Sequence, residues 1–139
     1  IWGNRNFNEL LDGIVYGVFV SLGFAWAENV IYVTHPILGG YETALERALL
    51  SVPGHGLFGV RMGYYFALGK YRNRKRYLPL AFFSPYLAHA LYNYFLLKRE
   101  PVFWLFFSVL EVRLWVFGLK RIKELQNCSP FREKVSKES

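Results

Sequence analysis

Polar positions along this chain fall in clumps, and long apolar stretches separate them. From Gly13 to Tyr41 the only Asp, Glu, Lys or Arg is Glu28, and from Tyr77 to Leu97 there is none. Between Ala48 and Gly69 only Arg61 is charged, and between Pro101 and Leu119 only Glu111 and Arg113. Each stretch has about the 20 residues needed to cross a bilayer core roughly 30 Å thick. The pattern predicts four membrane helices, over about 12–33, 45–69, 78–97 and 101–119. The expected fold class is all-α, a polytopic membrane helix bundle of about four transmembrane helices with segments broken by Pro and Gly.

Small residues give these spans a packing face. In the first, Gly13, Gly17, Ser21 and Ala25 recur every four residues. Such a stripe lets helices approach closely, and it continues into Glu28, Asn29 and Tyr32. The second span has His55, Gly59, Gly63 and Ala67; the third has Ala81, Pro85, Ala88, His89 and Asn93. Pro53 and Gly54 are expected to interrupt the helix just before His55, and Pro85 to kink the third span one turn before His89.

Composition narrows this further. A length of 139 residues is one domain. With 13 Phe, 10 Tyr and 4 Trp against 19% charged residues, disorder is excluded for the bulk of the chain. The single Cys128 excludes an internal disulfide framework and a Cys-rich zinc module, and reads as a reduced cytosolic thiol. The mean hydropathy of only +0.15 averages apolar spans with basic clumps. The net charge of +7 sits largely in those clumps: Lys70–Arg76 holds five basic residues in seven, and Lys120–Ser139 holds six more. By the positive-inside rule that loop, the tail and the N-terminus face the cytoplasm, and the loop around Thr34–Thr43 faces out. The Lys98-Arg99-Glu100 turn runs mildly against the rule. The basic tail is a topology signal in contact with anionic lipid rather than a nucleic-acid arm. The expected organisation is a membrane domain over 1–126 and a polar, basic cytoplasmic tail over 127–139. No repeat of fixed period is present, and nothing in the sequence sets the oligomeric state.

An ionisable group at the bilayer centre costs about 3 kcal/mol or more, so it faces a partner or a cavity. The candidates are Glu28, Asn29, His55, Arg61, His89, Asn93, Glu111 and Arg113, with His35 in the outer loop before Pro36. Counted from the cytoplasmic ends of the spans at about 1.5 Å per residue, Glu28 lies about 22 Å in, His55 about 21 Å, His89 about 17 Å and Asn93 about 22 Å. Four polar groups on three helices thus share one level. By the same count Arg61 and Glu111 both fall about 12 Å in and are expected to form a structural ion pair. Arg113, nearer the cytoplasmic end, can snorkel.

Glu28 with a histidine can activate water. His89 and Asn93, at i and i+4, share a face and can donate hydrogen bonds to an oxyanion. This set fits peptide hydrolysis without a nucleophilic Ser or Cys. Two alternatives stay open. Two His and one Glu can ligate zinc, although the HExxH arrangement is absent. The same groups can also bond one another merely to fix helix packing.

The segments Leu11-Asp12-Gly13-Ile14-Val15-Tyr16-Gly17 and Gly23-Phe24-Ala25-Trp26-Ala27-Glu28-Asn29-Val30-Ile31-Tyr32 resemble the DGxxYG…GFAxxENxxY signature of PrsW-type intramembrane proteases. Arg47-Ala48-Leu49 through Pro53-Gly54-His55-Gly56 resembles that family's third motif, and His89-Ala90-Leu91-Tyr92-Asn93 its HxxxN motif. The resemblance covers residues 7–97. It implies an intramembrane endopeptidase, related to the type II CAAX prenyl endopeptidases, that cleaves a membrane protein such as an anti-sigma factor. It implies Glu28 and His55 in water activation, His89 and Asn93 at the oxyanion, and Asn29 and Tyr32, within the ENxxY motif, as substrate contacts. It leaves the metal question open, because this family is called both glutamic and metalloprotease. The family's first motif, a Glu-Glu pair followed by a basic residue, lies upstream of the DGxxYG segment and supplies its main catalytic glutamate. Glu9 followed by Leu10 is not that motif. The expectation is an N-terminally truncated chain that is inactive as it stands. The alternative is a non-catalytic membrane binding or scaffold protein that keeps the protease fold.

Overall fold

The computed structural model describes residues 2–130, apart from 38 and 99. The described residues are all-α, in the order α1 (Leu10–Thr34), α2 (Tyr41–Glu46), a π-helical turn (Arg47–Ser51), α3 (Val52–Tyr71), α4 (Arg74–Lys98) and α5 (Pro101–Asn127). Asp12 Oδ2 accepts the backbone N–H groups of Asn8 and Glu9, both at 2.9 Å, and so starts α1. Gly40, at φ +124°, makes the turn into α2. Pro101 opens α5, where its missing N–H costs nothing.

α3 is the central helix. It packs chiefly on α1 and α4, and also on α5. One core cluster joins Leu57 and Phe58 of α3 to Ala88, Tyr92 and Leu96 of α4 and to Phe107 and Leu114 of α5. A second joins Ile14 of α1 to Val60, Tyr64 and Leu68 of α3 and to Leu125 of α5. Outward-facing residues are strongly apolar: Phe19, Trp26, Phe82, Leu105 and Val116 are all more than half exposed. An apolar exterior around a close-packed interior suits a bundle solvated by lipid.

The α1–α3 contact is made by backbone. A Cβ built on Gly63 would lie 2.1 Å from the Gly13 carbonyl oxygen, and one on Gly17 would lie 2.4 Å from that of Gly59. The two small-residue stripes therefore face each other in antiparallel register. One rung further along, Ser21 Oγ donates to the His55 carbonyl at 2.6 Å.

Two differences from the sequence pattern have physical causes. The interruption expected at Pro53 and Gly54 lies about one turn earlier, as the wide turn Arg47–Ser51. Pro53 sits instead in the first turn of α3, where proline is tolerated. Of the four long helices, α1 and α5 are long and apolar enough to cross a membrane by composition. α3 and α4 carry His55, Arg61, His89, Asn93 and the basic start at Arg74, which lowers their hydropathy. The expected tail begins within the described structure, since α5 continues to Asn127; from residue 131 onward it lies outside the described residues.

The glycine contact gives a direct test. Gly63→Ala forces the α1 backbone away and should destabilise the bundle by about 1–3 kcal/mol. Gly23→Ala, on the same α1 but with nothing within 4 Å of the added Cβ, should be neutral or slightly stabilising. Unfolding by SDS in mixed micelles, followed by circular dichroism, measures both. Equal effects would contradict the close-approach account.

Candidate functional site

The antiparallel register of α1 and α3 fixes what meets beyond Ser21. Moving up α1 reaches Ala25 and then Glu28, while moving back along α3 reaches His55 and then, in the π-helical turn, Ser51 and Arg47. Glu28 Oε2 lies 2.9 Å from His55 Nε2 and 2.8 Å from Arg47 Nη2. From α4, His89 Nε2 approaches Glu28 Oε1 to 3.6 Å, and Asn93 Nδ2 lies 3.0 Å from His89 Nε2. Five side chains, from α1, the π-helical turn, α3 and α4, thus form one continuous polar cluster. The His55 and His89 rings are 4.8 Å apart and are flanked by Phe24 and Phe58. A cavity of about 220 Å³ opens onto the cluster, lined by Ser21, Phe24, His55, Phe58, Pro85 and His89 among others.

Arg47 is the member that sequence reasoning did not assign. Its residue is 6% exposed, and its guanidinium makes three hydrogen bonds: to Glu28, to Asn29 Oδ1 at 2.6 Å and to Ser51 Oγ at 3.1 Å. The Tyr32 ring lies under it, with its centroid 4.1 Å away. Planar, multidentate donation with an aromatic beneath is what arginine does better than lysine. Asn29 and Tyr32, expected as substrate contacts, have Arg47 as their observed partner. A readable signal existed: Arg47, Ser51 and His55 recur every four residues and so share a helical face. Tyr92 was also missed. Buried between the HxxxN residues, it donates to the Leu50 carbonyl at 2.7 Å and ties α4 to the π-helical turn. Its ring packs where a Gly54 side chain would be.

The expected ion pair between Arg61 and Glu111 is not formed. Arg61 Nε donates to Ser84 Oγ of α4, and its guanidinium stacks on Phe117 at 4.9 Å. Glu111 instead accepts from Trp115 Nε1, one turn along its own helix, at 2.9 Å. The cause is the length of α5, which runs to Asn127 rather than ending near 119. At about 1.5 Å per residue that shift carries Glu111 roughly 12 Å further from the helix end than expected, and brings Phe117 to the level of Arg61.

Two imidazoles and a carboxylate form a known catalytic zinc donor set. One ligand atom each from Glu28, His55 and His89 lies within 4.8 Å of the others. The residues fit a single divalent ion. Glu28 Oε1 is the freer oxygen, because Oε2 is shared by Arg47 and His55.

Residues 1–118 match the family model described as PrsW family intramembrane metalloprotease. The chain is 39% identical over 127 residues to Protease PrsW of Geobacillus kaustophilus, covering 89% of this chain and 54% of that protein. It is 42% identical to Protease PrsW of Oceanobacillus iheyensis (88% and 56% covered) and 37% identical to that of Bacillus subtilis (91% and 58% covered). The chain spans about half the length of the curated relatives it matches. No solved structure matches it.

Removing the buried cation should be costly. Arg47→Met leaves the Glu28 carboxylate without its positive partner and should cost about 3–5 kcal/mol of stability. Adding Glu28→Gln to Arg47→Met should recover part of that loss, giving a coupling energy of about 1–3 kcal/mol in a double-mutant cycle. Unfolding of the four proteins in mixed micelles measures the cycle, and simple additivity would show that the pair is not energetically linked.

Proposed function

Because the chain belongs to the PrsW family of intramembrane proteases, we propose that it forms the membrane core of an endopeptidase that hydrolyses a peptide bond of a membrane-protein substrate. The observation that carries this reading is the convergence of Glu28, His55 and His89 beside an apolar-walled cavity. All four long helices cross the bilayer. α3 and α4 can do so because His55 and His89 meet Glu28, Asn93 meets His89, and Arg61 meets Ser84. The basic loop 70–76 and the C-terminal tail lie in the cytoplasm, and the 35–40 connection lies outside.

Water enters the cavity at His55 and His89 and is deprotonated by the Glu28–His55 pair as it attacks the scissile carbonyl. Arg47 holds the Glu28 carboxylate in place, and Ser21 fixes the backbone that carries His55. His89 and Asn93 face the oxygen that gains charge. The His89 imidazole, whose Nε2 lies between Glu28 Oε1 at 3.6 Å and Asn93 Nδ2 at 3.0 Å, and the Asn93 amide are the donors for the oxyanion. Proton return to the leaving amine falls to the protonated His55. A metal held by Glu28, His55 and His89 would supply Lewis-acid polarisation of the carbonyl and a more acidic water. A membrane-anchored anti-sigma factor is the first substrate class to try.

In the full-length protein, His55→Ala, His89→Ala and Glu28→Gln should each reduce cleavage of a membrane reporter below detection. Asn93→Ala should cost about 10²–10³-fold, as for loss of one oxyanion donor. Immunoblots of reporter and enzyme in the same cells check both cleavage and protein level. Full cleavage by both histidine variants would overturn the assignment.

The topology is tested by the single exposed thiol. Cys128 should react with a membrane-impermeant maleimide only after the cytoplasmic face is opened. A cysteine placed at exposed Ile37 in a Cys128→Ser background should react in intact cells. The reverse pattern would invert the proposed orientation.

A further inference from the structure

The face of α4 opposite the histidine cluster carries a second feature. Ser84, Leu87, Ala88 and Leu91 of α4 turn toward α5 and, with Arg61, help to enclose a cavity of about 580 Å³. Two of its lining groups are cations, Arg61 from α3 and Arg113 from α5, and its lining includes no Asp or Glu. Arg61 commits Nε to Ser84 and its flat face to Phe117, so its terminal nitrogens are left for another partner. Among the described residues, Arg113 has no hydrogen-bond or ion-pair partner. Since Arg61 lies level with Phe117, Arg113 sits about 6 Å further from the cytoplasmic end, roughly one helical turn, and not nearer to it as a shorter α5 led one to expect. The remaining walls are apolar, and Leu80, Phe83, Leu87 and Phe106 at the mouth are exposed.

Two stacked cations without an acid, in an apolar slot open to the side, call for an amphiphilic anion. We propose that the α4–α5 cavity binds an anionic phospholipid, its phosphate bridging Arg61 and Arg113 and an acyl chain lying against Leu87, Leu91 and Phe106. A volume of about 580 Å³ suits a headgroup with the first part of a chain. Basic pockets between membrane helices bind such headgroups, and here the phosphate would be drawn in to the level of Arg61, about 12 Å from the cytoplasmic end, where water is scarce and the attraction strong. Ser84 supplies a hydroxyl beside the phosphate. Charge complementarity selects lipid over a peptide segment, since a hydrophobic peptide in the slot would leave both guanidinium groups without a counter-charge. The lipid would also clamp α4 against α5 from behind, and α4 carries His89 and Asn93 on its other face.

This inference rests on the membrane reading of the chain but not on proteolysis, so its test reads lipid and not cleavage. The intact protein in neutral detergent is mixed with phosphatidylglycerol, with phosphatidylethanolamine or with inorganic phosphate, and bound adducts are counted by native mass spectrometry. Phosphatidylglycerol should be retained over phosphatidylethanolamine by the wild type. Arg61→Gln/Arg113→Gln should retain it roughly thirtyfold less, from the loss of two cations. Arg113→Gln alone guards against misfolding, because Arg113 bonds no described side chain; it should lose about fivefold with an unchanged circular dichroism spectrum. Equal retention of the two lipids, undiminished retention by Arg113→Gln, or binding of inorganic phosphate as tight as that of the lipid would each overturn the proposal. A photo-crosslinker at Phe83 that captures protein in place of lipid would do so as well.

Discussion

The site exists because two helix backbones touch. Gly13 and Gly17 of α1 lie against Gly59 and Gly63 of α3 so closely that a methyl group has no room. That contact sets the separation of the helices and their antiparallel register together. Three turns beyond Gly17 comes Glu28, and at that separation its short side chain reaches His55 at 2.9 Å. A wider spacing would leave the carboxylate facing lipid, where an isolated charge is costly. Close packing of small residues is also how helices associate when lipid removes the hydrophobic drive between them.

Proximity alone would not hold a carboxylate there. Arg47 makes it tolerable, and the local backbone brings Arg47 in. The π-helical turn at Arg47–Ser51 widens the helix just before Pro53, and Tyr92 fastens that turn to α4 through the Leu50 carbonyl. Arg47, Ser51 and His55 then lie on one face toward α1. A cation, an anion and two imidazoles neutralise and orient one another inside an apolar shell of Phe24 and Phe58. Such a network is worth little as bare stability, because desolvation offsets most of the attraction. Its value is positional, since each member has one place where its bonds are satisfied.

α4 separates two environments with opposite electrostatics. On one side His89 and Asn93 join a cluster that contains its own carboxylate and guanidinium. On the other, Arg61 and Arg113 line a cavity without an acid. Pro79 and Pro85 lie within this helix, and each removes a backbone hydrogen bond. A helix weakened in that way can adjust to what packs on either face.

Much of this was legible from the sequence alone. The all-α class followed from apolar runs too long for anything but helix. The stripes of Gly13, Gly17 and Ser21 and of His55, Gly59 and Gly63 told which faces would meet, because small residues every four positions make a smooth ridge. Residue counting placed Glu28, His55, His89 and Asn93 at one level, and the family resemblance rests on the same positions. Counting along single helices fixes height but not bearing, and it depends on where each helix ends. Only the tertiary structure decided that α5 runs to Asn127, which parted Arg61 from Glu111 and set it on Phe117. Only it showed that a wide turn swings Arg47 inward to hold Glu28, Asn29 and Tyr32. The physical reason is common to both: a side chain's partner is chosen by its direction around the helix axis and by the neighbour waiting there, and neither is written in the residue's own segment.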